Sequence, residues 1–298
     1  MNTALPVIVL LSASVLWGTA WWPLKQFSLN GISGFAMILV AYGSASLLLL
    51  PLLWRQRRQW RNAKALLLFI ALLGGSANLA FSAALIYGDV VRVMVLFYLL
   101  PVWGVFGGRF FLGERIDAMR WLTVALALSG AFILLGGGSA LAGDISWIDL
   151  LAIFAGMSFA GNNLLFRARQ HVPVPSKVSA MLIGCFVITV PLVLAGFQAW
   201  PHASLSTWSG VAAYGLGWML LATAGSQWGV ANMEAGRSSV LIIMELVAAM
   251  VSAALIGGER MSGGEMIGAA MILAAALIEA RRVPANEIIA VCHAGVSE

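Results

Sequence analysis

Residues 92–116 read RVMVLFYLLPVWGVFGGRFFLGERI, and residues 237–261 read RSSVLIIMELVAAMVSAALIGGERM. Laid over one another at a constant offset of 145, the two stretches share seven identities in 25 positions. Apolar coincidences between hydrophobic runs carry little information. The Arg92/Arg237 match at one end and the Gly113-Glu114-Arg115/Gly258-Glu259-Arg260 match at the other carry more. An internal repeat at this spacing organises the whole chain, so the rest is read from it.

The chain has 298 residues, of which 61% are hydrophobic and 10% charged, with a mean hydropathy of +0.94. Soluble domains carry ~45–50% apolar and ~25% charged residues. An ordinary soluble enzyme, a disordered chain and a nucleic-acid binder are therefore excluded. A spanning helix takes ~20 apolar residues and a short connection, which leaves room for ten spans. The apolar runs predict helices over 5–24, 32–53, 65–87, 92–112, 119–137, 147–166, 177–198, 208–230, 238–257 and 263–280. The expected fold is an all-α integral membrane protein of ten transmembrane helices. Residues 1–140 form a first five-helix repeat, 141–282 a second and inverted one, and 283–298 a cytoplasmic tail. Five helices per copy is an odd number, so the second copy enters the membrane upside down. This is the architecture of secondary transporters.

Charge placement agrees with ten spans. Of the 17 Lys and Arg residues, fourteen fall in loops 54–64, 109–120, 167–177 and 231–237 and in the tail. Lys25, Arg92 and Arg260 fall on the opposite side. By the positive-inside rule both termini are cytoplasmic, as expected of a multi-pass protein of a bacterial inner membrane. The basic pI near 9.7 then reflects topology and attraction to anionic lipid. The first apolar run starts near Leu5 without a basic leader, so no cleavable signal peptide is expected. Two cysteines and three histidines, scattered along the chain, supply neither a disulfide framework nor a metal or catalytic cluster. No cofactor is expected.

The pattern resembles the drug/metabolite transporter superfamily, specifically its ten-helix EamA-type exporters. The carrying residues are Trp17-Gly18, Pro101, Leu112-Gly113-Glu114-Arg115 and Gly257-Gly258-Glu259-Arg260. The Trp-rich first helix is most similar to that of YddG-type exporters of aromatic amino acids. The resemblance implies alternating access of two inverted repeats. One departure stands out: the second copy has Leu246 where the first has Pro101, so the two halves need not kink alike.

Polar side chains within the spans are costly and mark candidate sites. Asn78 and Ser82 map on Thr223 and Gln227 at the repeat offset. Each pair is four apart and so shares one helix face. They read as the lining of a translocation cavity or as hydrogen bonds between helices. Glu245 is the acid deepest in a span, roughly 12 Å from the helix start at 1.5 Å per residue. It binds a substrate ammonium, carries a proton, or is a structural acid bonded to helix eight. Trp17, Trp21 and Tyr98 supply aromatic walls with polar tips, suited to a flat ligand with a charged end. Asn163, on the repeat-mate of the Trp17 stripe, is favoured over Asn162 as a lining residue. Pro23 and Pro101 are candidate kinks for gating. Gly113, Glu114, Arg115, Gly258, Glu259 and Arg260 are read as structural turns.

The expected partners are a small-molecule substrate and the lipid bilayer, not nucleic acid. The chain contains no ATP-binding motif and no ATP-hydrolysing domain, and it is expected to work as a monomer. The expected function is export of small amphipathic metabolites, aromatic amino acids such as tryptophan and phenylalanine above all. Export of drugs, nucleosides or other amino acids is the alternative. An intramembrane enzyme would need clustered acids, histidines or a nucleophile with its base, which the spans lack, and a channel is less expected of an inverted repeat.

Overall fold

The computed structural model describes residues 4–258 and 260–282; Glu259 and the tail 283–298 lie outside them. Among the described residues the chain is helical, with no strand. In chain order the helices are α1 (Ala4–Leu29), α2 (Gly34–Arg55), α3 (Arg57–Tyr87), α4 (Val90–Leu112), α5 (Ala118–Leu134), α6 (Trp147–Ala168), α7 (Val174–Leu194), α8, α9 (Ala235–Gly257) and α10 (Gly263–Arg281). Here α8 is a continuous rod made of Leu205–Tyr214, a π-helical turn Gly215–Met219 and Leu220–Ala231. Eight of these are long and apolar enough to cross a membrane. The other two are α5, with 17 residues, and the interrupted α8.

Local chemistry explains the ends. Asp89, Asp117, Ser146 and Ser262 accept a hydrogen bond from an N–H of the turn that follows each, satisfying donors that a helix start leaves open. The break between α3 and α4 falls where Gly88 is extended and Asp89 caps α4. Helix α7 begins at Val174, three residues before the predicted start. Pro175 sits in its first turn, where the missing N–H costs nothing. Helices α4 and α9 end on Gly113 and Gly258, with nearly superimposable left-handed geometry: φ 69°, ψ 20° and φ 69°, ψ 18°.

Three of the helices are broken inside the apolar layer. Helix α1 turns at Ala20, where Pro23 has no N–H to offer the Thr19 carbonyl. Helix α4 turns over Tyr98 and Leu99, where Pro101 likewise frees the Phe97 carbonyl. Tighter bonds close the gap, among them Val102 N–H to the Leu99 carbonyl at 2.9 Å. Helix α9 breaks at Ile243, one repeat offset beyond Tyr98, although no proline is present. Its Leu246 N–H donates to the Ile243 carbonyl at 2.9 Å. Helices α4 and α9 thus break alike in spite of Leu246, whereas α1 is broken and its counterpart α6 runs uninterrupted over Trp147–Ala168, as an expectation of unlike kinks allows.

Close packing accompanies both breaks, at the break itself in α4 and just beyond it in α9. A Cβ on Gly156 of α6 would stand 2.6 Å from the freed Phe97 carbonyl oxygen. A Cβ on Gly18 of α1 would overlap the Glu245 carbonyl and stand 2.8 Å from the Ala249 nitrogen. Two glycine-bearing helices therefore press backbone to backbone on the two broken ones. By contrast, Pro191 sits within an unbroken α7.

The pairing scheme is regular. Helix α3 packs on α6 and α7, and α8 on α1 and α2. Helix α4 packs on α6 and α9 on α1, while α2 meets α7, α4 meets α9 and α5 meets α10. Exchanging α1–α5 for α6–α10 leaves this scheme unchanged.

Candidate functional site

Near the middle of the bundle lies a cavity of about 90 Å³. Its walls come from α1, α3, α4, α6, α7, α8 and α9. Trp17, Phe81, Phe97 and Phe159 form an aromatic enclosure, with Phe97 4.3 Å from Phe81 and 6.0 Å from Phe159 between ring centres. Ser14, Asn78, Thr223, Ser226, Gln227 and Glu245 add polar atoms. Many lining residues are repeat-mates. Asn78 and Thr223, Phe81 and Ser226, and Phe97 and Ile242 are each separated by 145, and Trp17 and Phe159 by 142.

The polar groups are tied to neighbouring helices. The Tyr98 hydroxyl donates to the Glu245 carboxylate, linking α4 and α9 at their two breaks. The acid is bonded across to α4, and among the described residues no hydrogen bond from it to α8 is found. Asn78 accepts from the Tyr42 hydroxyl at 2.8 Å and donates to the Gly74 carbonyl at 2.7 Å, so interhelical bonding and cavity lining coexist in one side chain. Gln227 donates to Asn163 at 3.2 Å and accepts from Asn162 at 3.4 Å. Asn162 Oδ1 and Asn163 Nδ2 are buried without a partner among the described residues.

Of the residues singled out from sequence, Trp17, Asn78, Thr223, Gln227 and Glu245 meet in this cavity. Tyr98 stands behind Glu245, and Asn163 behind Gln227. Ser82 is half-buried and outside the lining, because Phe81 occupies the wall there. Trp21, one helical turn beyond Trp17, lines a separate and larger cleft of about 850 Å³ and donates its indole N–H to Ser252 at 2.8 Å. Lys25, Met94, Leu246, Ala249 and Arg260 line the same cleft. Leu246 follows Glu245 directly, so cleft and cavity lie end to end along α1 and α9. Phe81, Phe97, Met181 and Ser226 escaped the sequence reading; applying the repeat offset to Phe81 and Phe97, as to Asn78, would have found two of the mates.

At the opposite end, where α4, α5, α9 and α10 meet, charges gather around the buried Arg120 and Glu279. Arg120 pairs with Glu234 at 2.5 Å and approaches Glu279 at 3.6 Å. Thr123 donates to Glu279 at 2.5 Å, and Arg282 pairs with Asp117 at 2.6 Å. Glu279 is fully buried, a second interior acid that its place in the last turn of α10 concealed. Glu114 accepts from the Ala235 N–H at 2.8 Å and the Gly236 N–H at 3.4 Å. The first Gly-Glu-Arg thus caps α9 of the other half. Burial pushes the Glu114 carboxyl above the usual carboxylate range, opposed by those two donors. For Asp117 the sign is reversed. Against some desolvation, the Arg120 backbone N–H and the Arg282 guanidinium hold it below that range. Arg115 and Arg260 are exposed. On the cleft side, Arg92 pairs with Asp149 at 2.7 Å. Among the described residues no group of His, Cys, Asp and Glu side chains is placed to hold a metal.

Comparison with known proteins finds transporters among those similar to parts of this chain. Residues 4–136 match the EamA-like transporter family. That stretch, a little under half of the chain, is similar to EamA-like transporters. Over 177 residues it is 28% identical to a riboflavin transporter of Rhizobium johnstonii, covering 55% of each protein. The chain thus spans about half the length of that relative. Over 215 residues it is 27% identical to an uncharacterized transporter of Vibrio cholerae, covering 68% of this chain and 67% of that protein. A solved crystal structure superposes with a TM-score of 0.72 at 19% identity, over 93% of this chain and 99% of the other; at that identity the likeness concerns the fold. EamA-family members and these named relatives are transporters and not enzymes. This chain, with eight helices long and apolar enough to cross a membrane, is similar to them over part of its length.

Proposed function

We propose that the chain is a secondary transporter that exports small molecules with a flat aromatic part and a charged end, aromatic amino acids such as tryptophan and phenylalanine first among them. In this reading all ten helices cross a bacterial inner membrane with both termini in the cytoplasm. The two five-helix repeats alternate access to the central cavity, and one chain suffices. The carrying observation is that repeat-mates from both halves converge on one aromatic-walled cavity that also holds Glu245. The unchanged pairing scheme under exchange of the halves and the fourteen-to-three split of basic residues support it.

Ligand pockets measure ~300–1,000 Å³, so a cavity of about 90 Å³ must widen to admit an amino acid. Trp17, Phe97 and Phe159 then take the ring, Glu245 takes the ammonium with Tyr98 orienting it, and Asn78, Thr223 and Gln227 take the carboxylate. Asn163 fixes Gln227, and Trp21 is a contact on the path through the cleft. Ser82 backs the α3 wall. A second reading is favoured by the Rhizobium relative's name: the aromatic enclosure suits a flavin ring as well as an indole.

Counterflow into proteoliposomes loaded with tryptophan, phenylalanine, riboflavin or leucine tests this. Exchange of the first two sustains the proposal, exchange of riboflavin alone selects the second reading, and exchange of leucine alone defeats both. Collapsing an imposed pH gradient without effect on accumulation removes proton coupling through Glu245.

A further inference from the structure

The two ends of the bundle differ in a way that the repeat makes legible. Ala249 and Met94 line the 850 Å³ cleft. Their repeat-mates at the other end, Gly104 and Ser239, are in contact: a Cβ on Gly104 would fall on the Ser239 hydroxyl. Val91 also lines the cleft, whereas its mate Gly236 is packed so closely on Arg120 that a Cβ would stand 2.9 Å from the guanidinium. Quasi-equivalent surfaces are apart at one end and pressed together at the other.

The charged residues follow the same map. Glu279, Asp117 and Arg282 have as mates Leu134, Ser262 and Gly137, all lining the cleft. Arg120 has Glu265, whose carboxylate is engaged by the Ser262 N–H at 2.5 Å. The ionic contacts of the closed end therefore have no quasi-equivalent contact at the open end, where a different pair, Arg92 with Asp149, joins the halves instead.

We infer that the cluster of Arg120, Glu234, Glu279, Asp117 and Arg282 is the closed inner gate of the transporter, and that the cleft is the equivalent outer region standing open. The inference rests on the inverted-repeat reading of transport. Each of these contacts joins one half to the other: Arg120, Asp117, Glu114 and Thr123 from the first, Glu234, Glu279, Arg282 and the Ala235 N–H from the second. The halves cannot part at this end without breaking them. The cluster is also incompletely saturated, since Arg120 Nη1, Arg237 Nε and Glu279 Oε2 are buried without hydrogen-bond partners among the described residues. Buried ion clusters of this kind contribute little net stability, which suits a contact that opens in each cycle. The outer closure, made of Leu134, Ala249 and Met94, is apolar, so the two gates are chemically unlike.

The test uses the full chain with Cys185→Ala and Cys292→Ala, carrying one reporter cysteine at a time. Ala253→Cys reports the outer cleft and Ser239→Cys the inner gate. A membrane-impermeant maleimide is applied to right-side-out and inside-out vesicles. With the gate intact, Ala253→Cys labels from outside and Ser239→Cys labels slowly from inside. Asp117→Asn or Arg282→Gln removes the most exposed pair without emptying the core. Surface pairs are worth ~0.2–1 kcal/mol, so Ser239→Cys labelling is expected to rise ~1.4- to 5-fold while Ala253→Cys labelling does not rise. Asp117→Asn keeps a side-chain oxygen to cap α5, so its effect reports the lost charge and not a lost cap. Unaltered labelling at Ser239→Cys, or a rise at both reporters together, overturns the gate. A one-sided rise with no counterflow of any tested solute keeps the gate and removes the substrate reading. Counterflow with a silent Ser239→Cys does the opposite.

Discussion

Alanine at Gly18 or Gly156 should loosen the bundle at the two points where one half leans on the other. At Gly156 the added methyl lands 2.6 Å from the Phe97 carbonyl oxygen, against an ordinary contact of 3.4 Å or more. Helices α6 and α4 must therefore separate by about 0.8 Å, and the obstacle is backbone that no rotamer change can move. At Gly18 the methyl meets the Glu245 carbonyl, the Ala248 Cβ at 2.6 Å and the Ala249 nitrogen at 2.8 Å. Overpacking costs ~1–3 kcal/mol, and contacts with backbone belong at the upper end. Against this, alanine gains ~1 kcal/mol of helix propensity over glycine, for a net loss of about 2 kcal/mol. One kcal/mol moves the midpoint by ~2–4 °C in domains of 150–250 residues, so each variant should unfold at least about 4 °C lower. Gly217, with nothing within 4 Å of its Cβ direction, is the control. Gly217→Ala should hold or raise the midpoint. The assay is thermal unfolding in one detergent, followed by the fraction that still elutes as a single sharp peak. If Gly18→Ala and Gly156→Ala match Gly217→Ala, the helices do not meet as closely as argued.

Three further outcomes are expected. Gly113→Ala and Gly258→Ala should each cost ~1–2 kcal/mol for holding a left-handed residue with a side chain, and by nearly equal amounts because their dihedral angles agree; a clear inequality in unfolding midpoints would show that one cap bears additional load. The Asp117 carboxyl is held low in the folded protein, so its stabilisation is complete above the ordinary value of ~3.9 and fades as the pH falls below it. Asp117→Asn should therefore lower the midpoint at pH 7 and shrink the drop between pH 5 and pH 3; an unchanged acid profile would refute the pairing. Trp17→Ala should weaken counterflow of tryptophan more than that of leucine, by about two- to tenfold for an aromatic contact of ~0.5–1.5 kcal/mol, and equal losses would assign Trp17 to packing.

Much of this architecture was legible because a bilayer imposes one dominant rule: long apolar runs become helices. The helices fell within a few residues of their predicted places, and the 145-residue offset that aligned Arg92 with Arg237 also pairs the cavity residues Asn78 and Thr223. What stayed hidden depends on proximity in space. Phe97 resembles any apolar residue of α4 until α6 brings Phe159 beside it. Arg120, Arg237 and Lys177 counted as loop charges, yet all three are buried, Lys177 donating to the Phe166 carbonyl at 2.7 Å. Their positions at helix starts were readable, but their partners were not. Glu279 was passed over because a carboxylate in a final helical turn normally reaches water. Only the docking of α5, through Thr123, closes that route.

The break in α9 carries a lesson for how members of such families diverge. If a helix can be interrupted at Ile243 without proline, then proline at 101 is a marker of the hinge rather than its origin, and that position is free to drift. Surveys that infer mobility from intramembrane prolines would find the breaks near Pro23 and Pro101, miss the one at Ile243, and add false ones at Pro51 and Pro191. Gly156 presses on the α4 break and Gly18 on α9 just beyond its own, so both are positions where substitution is felt although neither lies on the helix it presses.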